Sequence, residues 1–294
     1  MIVFLLCLSM LSALIGSTAR KFYTNKLGGD FSVVALFTTI TCLVSSIVLL
    51  VWGAFDGGFN CSPFTLLLGV LFGLITATQT YSNLKALKCG PMSYTYIFQA
   101  FSTIIPALSG ALFFSETLTF SHVIGIVLML GSFILATEQD KENKKATGIW
   151  LTFCAVLFLT TGAIGVMQKV HQSSSYKTEL NAFLIVAFIT SSLVSLVLSL
   201  FSKNHLKQNL KGQKFCFILL ITAVSGVCIA VNNKLNLFLS GALDSALFFP
   251  LVNGGGLVLT TITATVMFKE KLSLKRLIGV LVGLVSVVFL CNPF

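Results

Sequence analysis

Side-chain amides recur at helical spacing within segments that are otherwise strongly apolar. Gln79 and Asn83 are four residues apart, as are Asn232 and Asn236, and residues at this spacing share one face of a helix. An amide offers donors and an acceptor, so paired amides suit a polar or zwitterionic ligand. The candidate binding residues are Gln79, Asn83, Tyr96, Gln99, Asn232, Lys234, Asn236 and Asn253.

Residues for catalysis or metal binding form no recognisable constellation. The three histidines, His122, His171 and His205, are far apart, and no two of the eight cysteines form a CxxC pair. Metal sites and general acid–base catalysis need ligand clusters or paired carboxylates. The sequence therefore predicts no enzyme, no metal site and no cofactor.

The amino-acid composition indicates that the protein with these amides is a membrane protein. Of the 294 residues, 56% are hydrophobic and only 10% are charged, and the mean hydropathy is +0.97. Typical soluble domains carry about 25% charged residues. The net charge of +10 comes from Lys and Arg between apolar runs, where they face anionic lipid headgroups. The expected partners are the lipid bilayer and a small-molecule substrate, with no nucleic acid.

Apolar runs of about 20 residues can each cross a bilayer, and they predict an all-α polytopic protein with ten transmembrane helices. No predicted span carries Asp, Glu or His near its centre. Glu116, Glu270 and Lys169 fall at predicted helix ends, so the lysine is expected at the interface and no mid-membrane carboxylate is available for proton coupling. The predicted spans are 2–19, 32–53, 64–83, 93–114, 122–137, 148–168, 181–201, 215–237, 244–267 and 276–291.

The polar residues in these spans have two interpretations each. An amide within a membrane lines a polar cavity or hydrogen-bonds a neighbouring helix. Lys234 either binds a carboxylate or phosphate of a ligand or extends its side chain to the interface. For the amides as a group, the sequence favours a shared cavity.

Glycine and proline mark candidate hinges or close helix contacts. Gly254, Gly255 and Gly256 are consecutive, although each costs about 1 kcal/mol relative to Ala inside a helix. They either allow close packing or make a bendable point beside the site. Pro106 and Pro250 are predicted to kink their helices.

The two halves of the chain repeat each other. Glu116 aligns with Glu270 at an offset of 154 residues, and Gly73 aligns with Gly226 at an offset of 153. The same alignment pairs polar residues at related depths, namely Gln79 with Asn232 and Gln99 with Asn253.

This repeat predicts two five-helix domains, residues 1–146 and 147–294. Because five is an odd number, the second domain enters the membrane from the opposite side, and the repeat is inverted. Inverted repeats are typical of secondary transporters, whose substrate site lies near the bilayer midplane where the repeats meet.

Two segments carry a resemblance to a known family. The run from Phe114-Ser-Glu-Thr-Leu to Ile124-Gly, and its second copy from Phe268-Lys-Glu-Lys-Leu to Ile278-Gly, are similar to the EamA-type drug/metabolite transporter superfamily. This resemblance implies ten helices, arranged as two inverted repeats around a central cavity. Members of the superfamily move small metabolites and drugs.

These observations together predict a secondary transporter or facilitator that works by alternating access as a monomer or homodimer. A small polar or zwitterionic metabolite is the expected substrate, with an amino-acid-like solute favoured. A lipid-linked-sugar flippase or a drug exporter of the same superfamily is the alternative.

The charges in the loops predict an orientation in the cell membrane. With ten spans, the odd-numbered loops hold 16 of the 19 Lys and Arg residues and the even-numbered loops hold 3. Lys and Arg are enriched in cytoplasmic loops, so the charge distribution places both termini outside the cytoplasm. The resemblance implies the opposite, with both termini inside.

Overall fold

The computed structural model describes residues 1–27, 30–56, 59–90, 92–136, 147–200, 215–267 and 274–291. Every regular element in these ranges is an α-helix. The helices are α1 (Ile2–Leu27), α2 (Phe31–Phe55), α3 (Pro63–Cys89), α4 (Met92–Phe101), α5 (Ile104–Phe113), α6 (Phe120–Ala136), α7 (Gly148–Ser173), α8 (Leu180–Leu200), α9 (Phe215–Ala242), α10 (Ser245–Met267) and α11 (Leu274–Cys291).

Several of these helices are long and apolar enough to cross a membrane. Among the described residues, seven stretches meet this criterion, and two further apolar helices, Phe120–Leu135 and Leu277–Leu290, are shorter. The prediction of a multi-pass, all-helical membrane protein is confirmed, whereas the count of ten spans stays a prediction. The seven stretches are Ile2–Thr24, Phe31–Phe55, Pro63–Cys89, Thr95–Phe113, Gly148–Ser173, Leu180–Leu200 and Cys216–Ala242.

The chain forms two compact units. The first consists of Met1–Ala77 and Ser174–Phe238, and the second consists of Thr78–Ser173 and Leu239–Phe294. Each unit draws on both halves of the sequence. The predicted repeat domains describe sequence similarity rather than packing, and their boundary stays a prediction.

In the first unit, α2 packs along α8. Ser192 Oγ donates a hydrogen bond to the Thr39 carbonyl oxygen across this interface, at 3.2 Å. Beside it, Tyr23 and Phe37 pack with their ring centroids 4.7 Å apart, in a core cluster that also contains Val33. Burial of these apolar side chains connects the end of α1 to the start of α2.

Hydroxyl groups are frequent in α2, and many are bonded within the helix itself. Five of them donate to the carbonyl oxygen four residues earlier, at 2.8 to 2.9 Å. This bond supplies a partner for a Ser or Thr hydroxyl in an apolar environment. The five are Thr38, Thr39, Thr41, Ser45 and Ser46.

Two glycines bring helices of the first unit into backbone contact. A Cβ atom on Gly73 of α3 would lie 2.5 Å from the carbonyl oxygen of Ala187 in α8. A Cβ atom on Gly226 of α9 would lie 2.9 Å from the carbonyl oxygen of Thr41 in α2. A side chain at either position would displace backbone, so each contact requires glycine.

In the second unit, α6 packs along α11. Met129, Phe133 and Leu290 form a buried core cluster there, and Ser132 Oγ donates to the carbonyl oxygen of Gly279 at 2.7 Å. Gly125 lies against the Leu290 side chain. Small residues again allow close approach of the two helices.

The predicted fourth span is interrupted. Helix α4 ends at Phe101, and α5 begins at Ile104, two residues before its proline. Pro106 has no N–H to donate to the Ser102 carbonyl oxygen, and that oxygen accepts a bond from the Ile105 N–H at 3.0 Å instead. By contrast, α10 is assigned as one continuous helix through Pro250.

Candidate functional site

Asn232 and Asn236 of α9 lie together in the first unit and bind α1. Asn232 Nδ2 donates to the Ser9 carbonyl oxygen at 2.9 Å and to Ser9 Oγ at 3.1 Å. Ser9 Oγ donates to Asn236 Oδ1 at 2.5 Å, and Asn236 Nδ2 lies 3.4 Å from Asn232 Oδ1. The predicted common face exists, and its amides form a closed network that connects two helices.

Lys234 lies in a second cluster of the same unit, at the end of α2. Its Nζ atom is 2.7 Å from Asp56 Oδ2 and 3.8 Å from the centroid of the Trp52 ring. Asn181 Nδ2 donates to the same Asp56 oxygen at 3.3 Å. The Lys234 side chain is 13% exposed and that of Asp56 is 46% exposed. We call these four residues the Asp56 cluster.

The Asp56 cluster carries no net charge. The hydrogen bond from Lys234, followed by the bond from Asn181, lowers the pKa of the Asp56 carboxyl group below its ordinary value, so the carboxylate is ionised at neutral pH. This anion compensates the ammonium group of Lys234. The contact with Trp52 adds a cation–π attraction to the ring face.

The second unit holds the other predicted amides. Asn253 Nδ2 donates to Thr103 Oγ1 at 2.8 Å, at the interruption between α4 and α5. Gln79 Nε2 lies 3.4 Å from Thr161 Oγ1. Asn83 Oδ1 is buried and has no hydrogen-bond partner in the described part of the chain.

Tyr96 and Gln99 both lie on α4. Tyr96 is 46% exposed, and the backbone carbonyl oxygen of Gln99 accepts a bond from Ser102 Oγ at 2.6 Å. The predicted binding residues are therefore distributed over both compact units. The structure brings Asn232 and Asn236 together and gives Lys234 a different set of neighbours, so one common substrate site stays a prediction.

The predicted hinge residues have different surroundings. Gly254 is buried in α10 and faces the Met129 side chain, and its role as a hinge or a packing residue stays a prediction. Gly255 and Gly256 follow it and are partly buried. Pro106 packs against Gly165 of α7, where a Cβ atom would lie 2.9 Å from Pro106 Cγ.

A buried ion pair in the second unit was not predicted. Glu116 and Lys169 contact each other, and each side chain is only 8% exposed. Glu116 Oε2 also accepts the backbone N–H of Ser245 at 2.7 Å, and Lys169 Nζ donates to the Leu243 carbonyl oxygen at 3.0 Å. Lys169 is thus enclosed by protein, and its expected place at the membrane interface stays a prediction. Glu270, the repeat counterpart of Glu116, lies outside the described residues.

The sequence interpretation also missed the neighbours of the predicted residues. Asp56 directly follows an apolar helix and Lys234 lies near the end of another, which is the only sequence signal that could have suggested their pairing. Ser9, Trp52 and Asn181 occur in ordinary apolar or amphipathic surroundings. Nothing in their local sequence distinguishes them from lipid-facing or packing residues.

Comparison with known proteins identifies the class. Residues 9–292 match a family of membrane transporters, and the chain is therefore a multi-pass membrane transporter rather than an enzyme. The family is the one described as sugar transport protein, and this chain belongs to it.

Two further proteins are similar to this chain. An uncharacterized protein of Haemophilus influenzae is 26% identical over 241 residues, which cover 77% of this chain and 74% of the relative. A protein of known crystal structure matches with a TM-score of 0.72 and 15% identity, over 98% of this chain and 95% of the other. At that identity, the structural match shows a shared fold.

Proposed function

We propose that this protein moves a small, uncharged, hydroxylated solute of the sugar class across the membrane. The observation that carries the proposal is the match to the sugar transport protein family over residues 9–292. Amides and hydroxyls, which offer both donors and acceptors, suit sugar hydroxyl groups. The amino-acid-like solute expected from the sequence is the second candidate.

The electrostatics favour the uncharged solute over an anion or a zwitterionic amino acid, both of which carry a carboxylate. A substrate carboxylate needs a cation that it can reach, and two lysines of the spans, Lys169 and Lys234, are each paired with a carboxylate of the chain. If a substrate carboxylate bound to one of these lysines in place of its partner, Glu116 or Asp56 would lose its counter-ion. A neutral sugar makes no such demand.

Flux in proteoliposomes tests this function. The purified full-length protein is reconstituted, and uptake of labelled monosaccharides is compared with uptake of neutral amino acids. We expect saturable monosaccharide flux and accelerated counterflow when the vesicles contain unlabelled sugar. Amino-acid flux without sugar flux would replace this proposal by the second candidate.

The proposed architecture is that of an EamA-type transporter with two inverted repeats and alternating access. Two contacts support the repeat, because the aligned residues Gly73 and Gly226 make equivalent contacts. Gly73 meets the backbone of α8 at Ala187, and Gly226 meets the backbone of α2 at Thr41. Helices α2 and α8 occupy equivalent places in the two sequence repeats, as do α6 and α11, which also pack as a pair.

Alanine substitutions test this equivalence. Gly73→Ala and Gly226→Ala should each lower the free energy of unfolding of the detergent-solubilised protein by about 1–3 kcal/mol. In both variants the added methyl group would collide with the backbone of the neighbouring helix. Gly131→Ala is the matched control, since nothing lies within 4 Å of the added Cβ, and it should leave stability unchanged or slightly raised. A large loss at one glycine alone would contradict the proposed equivalence.

The proposed orientation places both termini outside the cytoplasm, on the distribution of Lys and Arg. Native cysteines at the two ends of α3 test it, because Cys61 and Cys89 are both exposed. In variants that retain only one of them, an impermeant thiol reagent on intact cells should label Cys61 and spare Cys89. The reverse pattern would place the termini in the cytoplasm.

A further inference from the structure

The Asp56 cluster has unused hydrogen-bonding capacity. Asp56 Oδ2 accepts from both Lys234 and Asn181, whereas Asp56 Oδ1 accepts no hydrogen bond within the described residues. Asn181 Oδ1 is buried without a partner in the same part of the chain. An ammonium group carries three donors, and among the described residues Lys234 uses one of them, on Asp56.

Such a set of free groups is unusual for a structural ion pair. Buried polar atoms nearly always have a hydrogen-bond partner, and a persistent exception needs an explanation. At this cluster the Asn181 amide oxygen is such an exception, whereas the free Asp56 oxygen belongs to a side chain that is 46% exposed and is open to a ligand from outside. The observations point to a ligand that both donates and accepts hydrogen bonds.

We propose that Trp52, Asp56, Asn181 and Lys234 form a binding subsite for adjacent hydroxyl groups of a sugar. One hydroxyl donates to Asp56 Oδ1, and its neighbour accepts a hydrogen bond from Lys234 Nζ. Asn181 Nδ2 donates to the other oxygen of Asp56 and thereby holds the carboxylate in place. Trp52 holds the ammonium group over its ring and thereby fixes the donor beside the carboxylate.

The charge of the cluster selects the class of ligand. An anionic solute would compete with Asp56 for Lys234, and a cationic solute would compete with Lys234 for Asp56, whereas a neutral diol keeps both groups ionised and paired. Hydrogen bonds to charged groups are stronger than those between neutral groups. The subsite rests on the proposed function, since it names the part of the sugar that the transporter recognises.

The two tryptophans of the chain provide a direct measurement. Trp52 lies in the subsite, whereas Trp150 is buried in the second unit, where its Nε1 donates to Thr95 Oγ1 at 3.0 Å. Trp150→Phe leaves Trp52 as the sole indole. We expect the transported monosaccharide to change the emission of this variant saturably, over the concentrations that saturate transport. Trp52→Phe should show no such change.

Two substitutions test the polar contacts in the Trp150→Phe background. Asp56→Asn and Lys234→Met should each weaken sugar binding at least about tenfold, the effect of one charge-assisted hydrogen bond. Lys26→Met is the matched control, because Lys26 Nζ lies over the Phe217 ring at the same 3.8 Å but has no carboxylate partner among the described residues. It should leave binding unchanged.

Deoxysugars separate recognition from an indirect structural effect. A sugar that lacks the hydroxyl bound by Asp56 should bind the parent protein about tenfold more weakly, and Asp56→Asn should weaken it no further. A structural role would instead reduce binding of the sugar and of every deoxysugar by one common factor. That common factor, or unchanged binding in both variants, would overturn the subsite.

The experiments can refute the subsite without refuting the proposed function. Monosaccharide flux in proteoliposomes with an unchanged Trp52 emission overturns the subsite and leaves sugar transport intact. If no monosaccharide is transported, the proposed function itself is refuted.

Discussion

The protein contains two lysine–carboxylate pairs whose surroundings differ. Glu116 and Lys169 are buried, and both ends of the pair make further hydrogen bonds to backbone around Ser245. Asp56 lies at the end of α2 and is paired with Lys234 from within α9. Its side chain is 46% exposed, and one of its oxygens has no hydrogen bond within the described residues.

This difference separates two uses of charge within one membrane protein. The Glu116–Lys169 pair connects the segment after α5, the end of α7 and the start of α10, so its removal would release all three. The Asp56–Lys234 pair holds fewer groups and leaves hydrogen-bonding positions open to a ligand. The additional backbone hydrogen bonds of the Glu116–Lys169 pair favour a structural role, whereas the free oxygen of Asp56 is the group that the proposed subsite uses.

The largest effect is expected at the buried pair. Glu116→Gln leaves the Lys169 ammonium group without its counter-ion, and breaking a buried pair costs about 3–5 kcal/mol. The variant should therefore show a much lower melting temperature and a lower folded yield by size-exclusion chromatography in detergent. Lys169→Met should be milder, because Glu116 keeps the N–H and hydroxyl donors of Ser245.

A double variant provides the control for this prediction. Glu116→Gln combined with Lys169→Met removes both charges, and replacing a whole buried pair is often close to neutral. It should recover most of the stability lost in Glu116→Gln. If the single and double variants have the same melting temperature, the pair has no structural role, and the proposed difference between the two lysine–carboxylate pairs is wrong.

A smaller effect is expected at the closed amide network. Asn232→Ala removes the two donations to Ser9, and a hydrogen bond between transmembrane helices averages about 0.6 kcal/mol. Thermal unfolding should show a loss of about 1 kcal/mol. Asn233→Ala is the matched control, since within the described segments its amide donates to Ile229 of its own helix alone, and it should have little effect.

The smallest effect on folding is expected at Asp56. Asp56→Asn should leave the melting temperature close to that of the parent, because an exposed ion pair contributes little to stability. The lowered pKa of Asp56 also sets the pH dependence. Its ionised contacts are complete above its ordinary pKa of about 4 and are lost only as the pH falls through the still lower folded value.

Asp56 stays ionised between pH 5 and 7.5, so it should cause no pH dependence of sugar binding to the Trp150→Phe variant in this range. Emission titrations at several pH values check this expectation. A decline in affinity centred between pH 5 and 7, absent from Asp56→Asn, would show that the carboxylate titrates in that range and is not held by Lys234.

Most helix positions could be predicted because each long apolar run crosses one bilayer thickness. The run 181–201 corresponds to α8, Leu180–Leu200. The run 215–237 was predicted to end too early, since α9 continues to Ala242. Hydropathy falls where the polar residues of α9 begin, but the backbone hydrogen bonds of the helix continue beyond that point.

The candidate site was only partly predictable. Helical spacing identified Asn232 and Asn236 as neighbours, because spacing within one helix determines a common face. The partners of Lys234 and Lys169 could not be found in this way. They lie on other helices, and the packing that brings Asp56 or Glu116 to a lysine depends on contacts far apart in sequence.

The hydroxyl groups of α2 have a consequence for how the chain enters the membrane during synthesis. A helix that is released singly from the insertion machinery contacts lipid before the later helices are made. Each polar group without a hydrogen bond then opposes insertion. The bonds from Thr38, Thr39 and Ser46 to their own helix exist before any neighbour is present. Helix α2 can therefore insert into the bilayer on its own, before α8 is synthesised and packs against it.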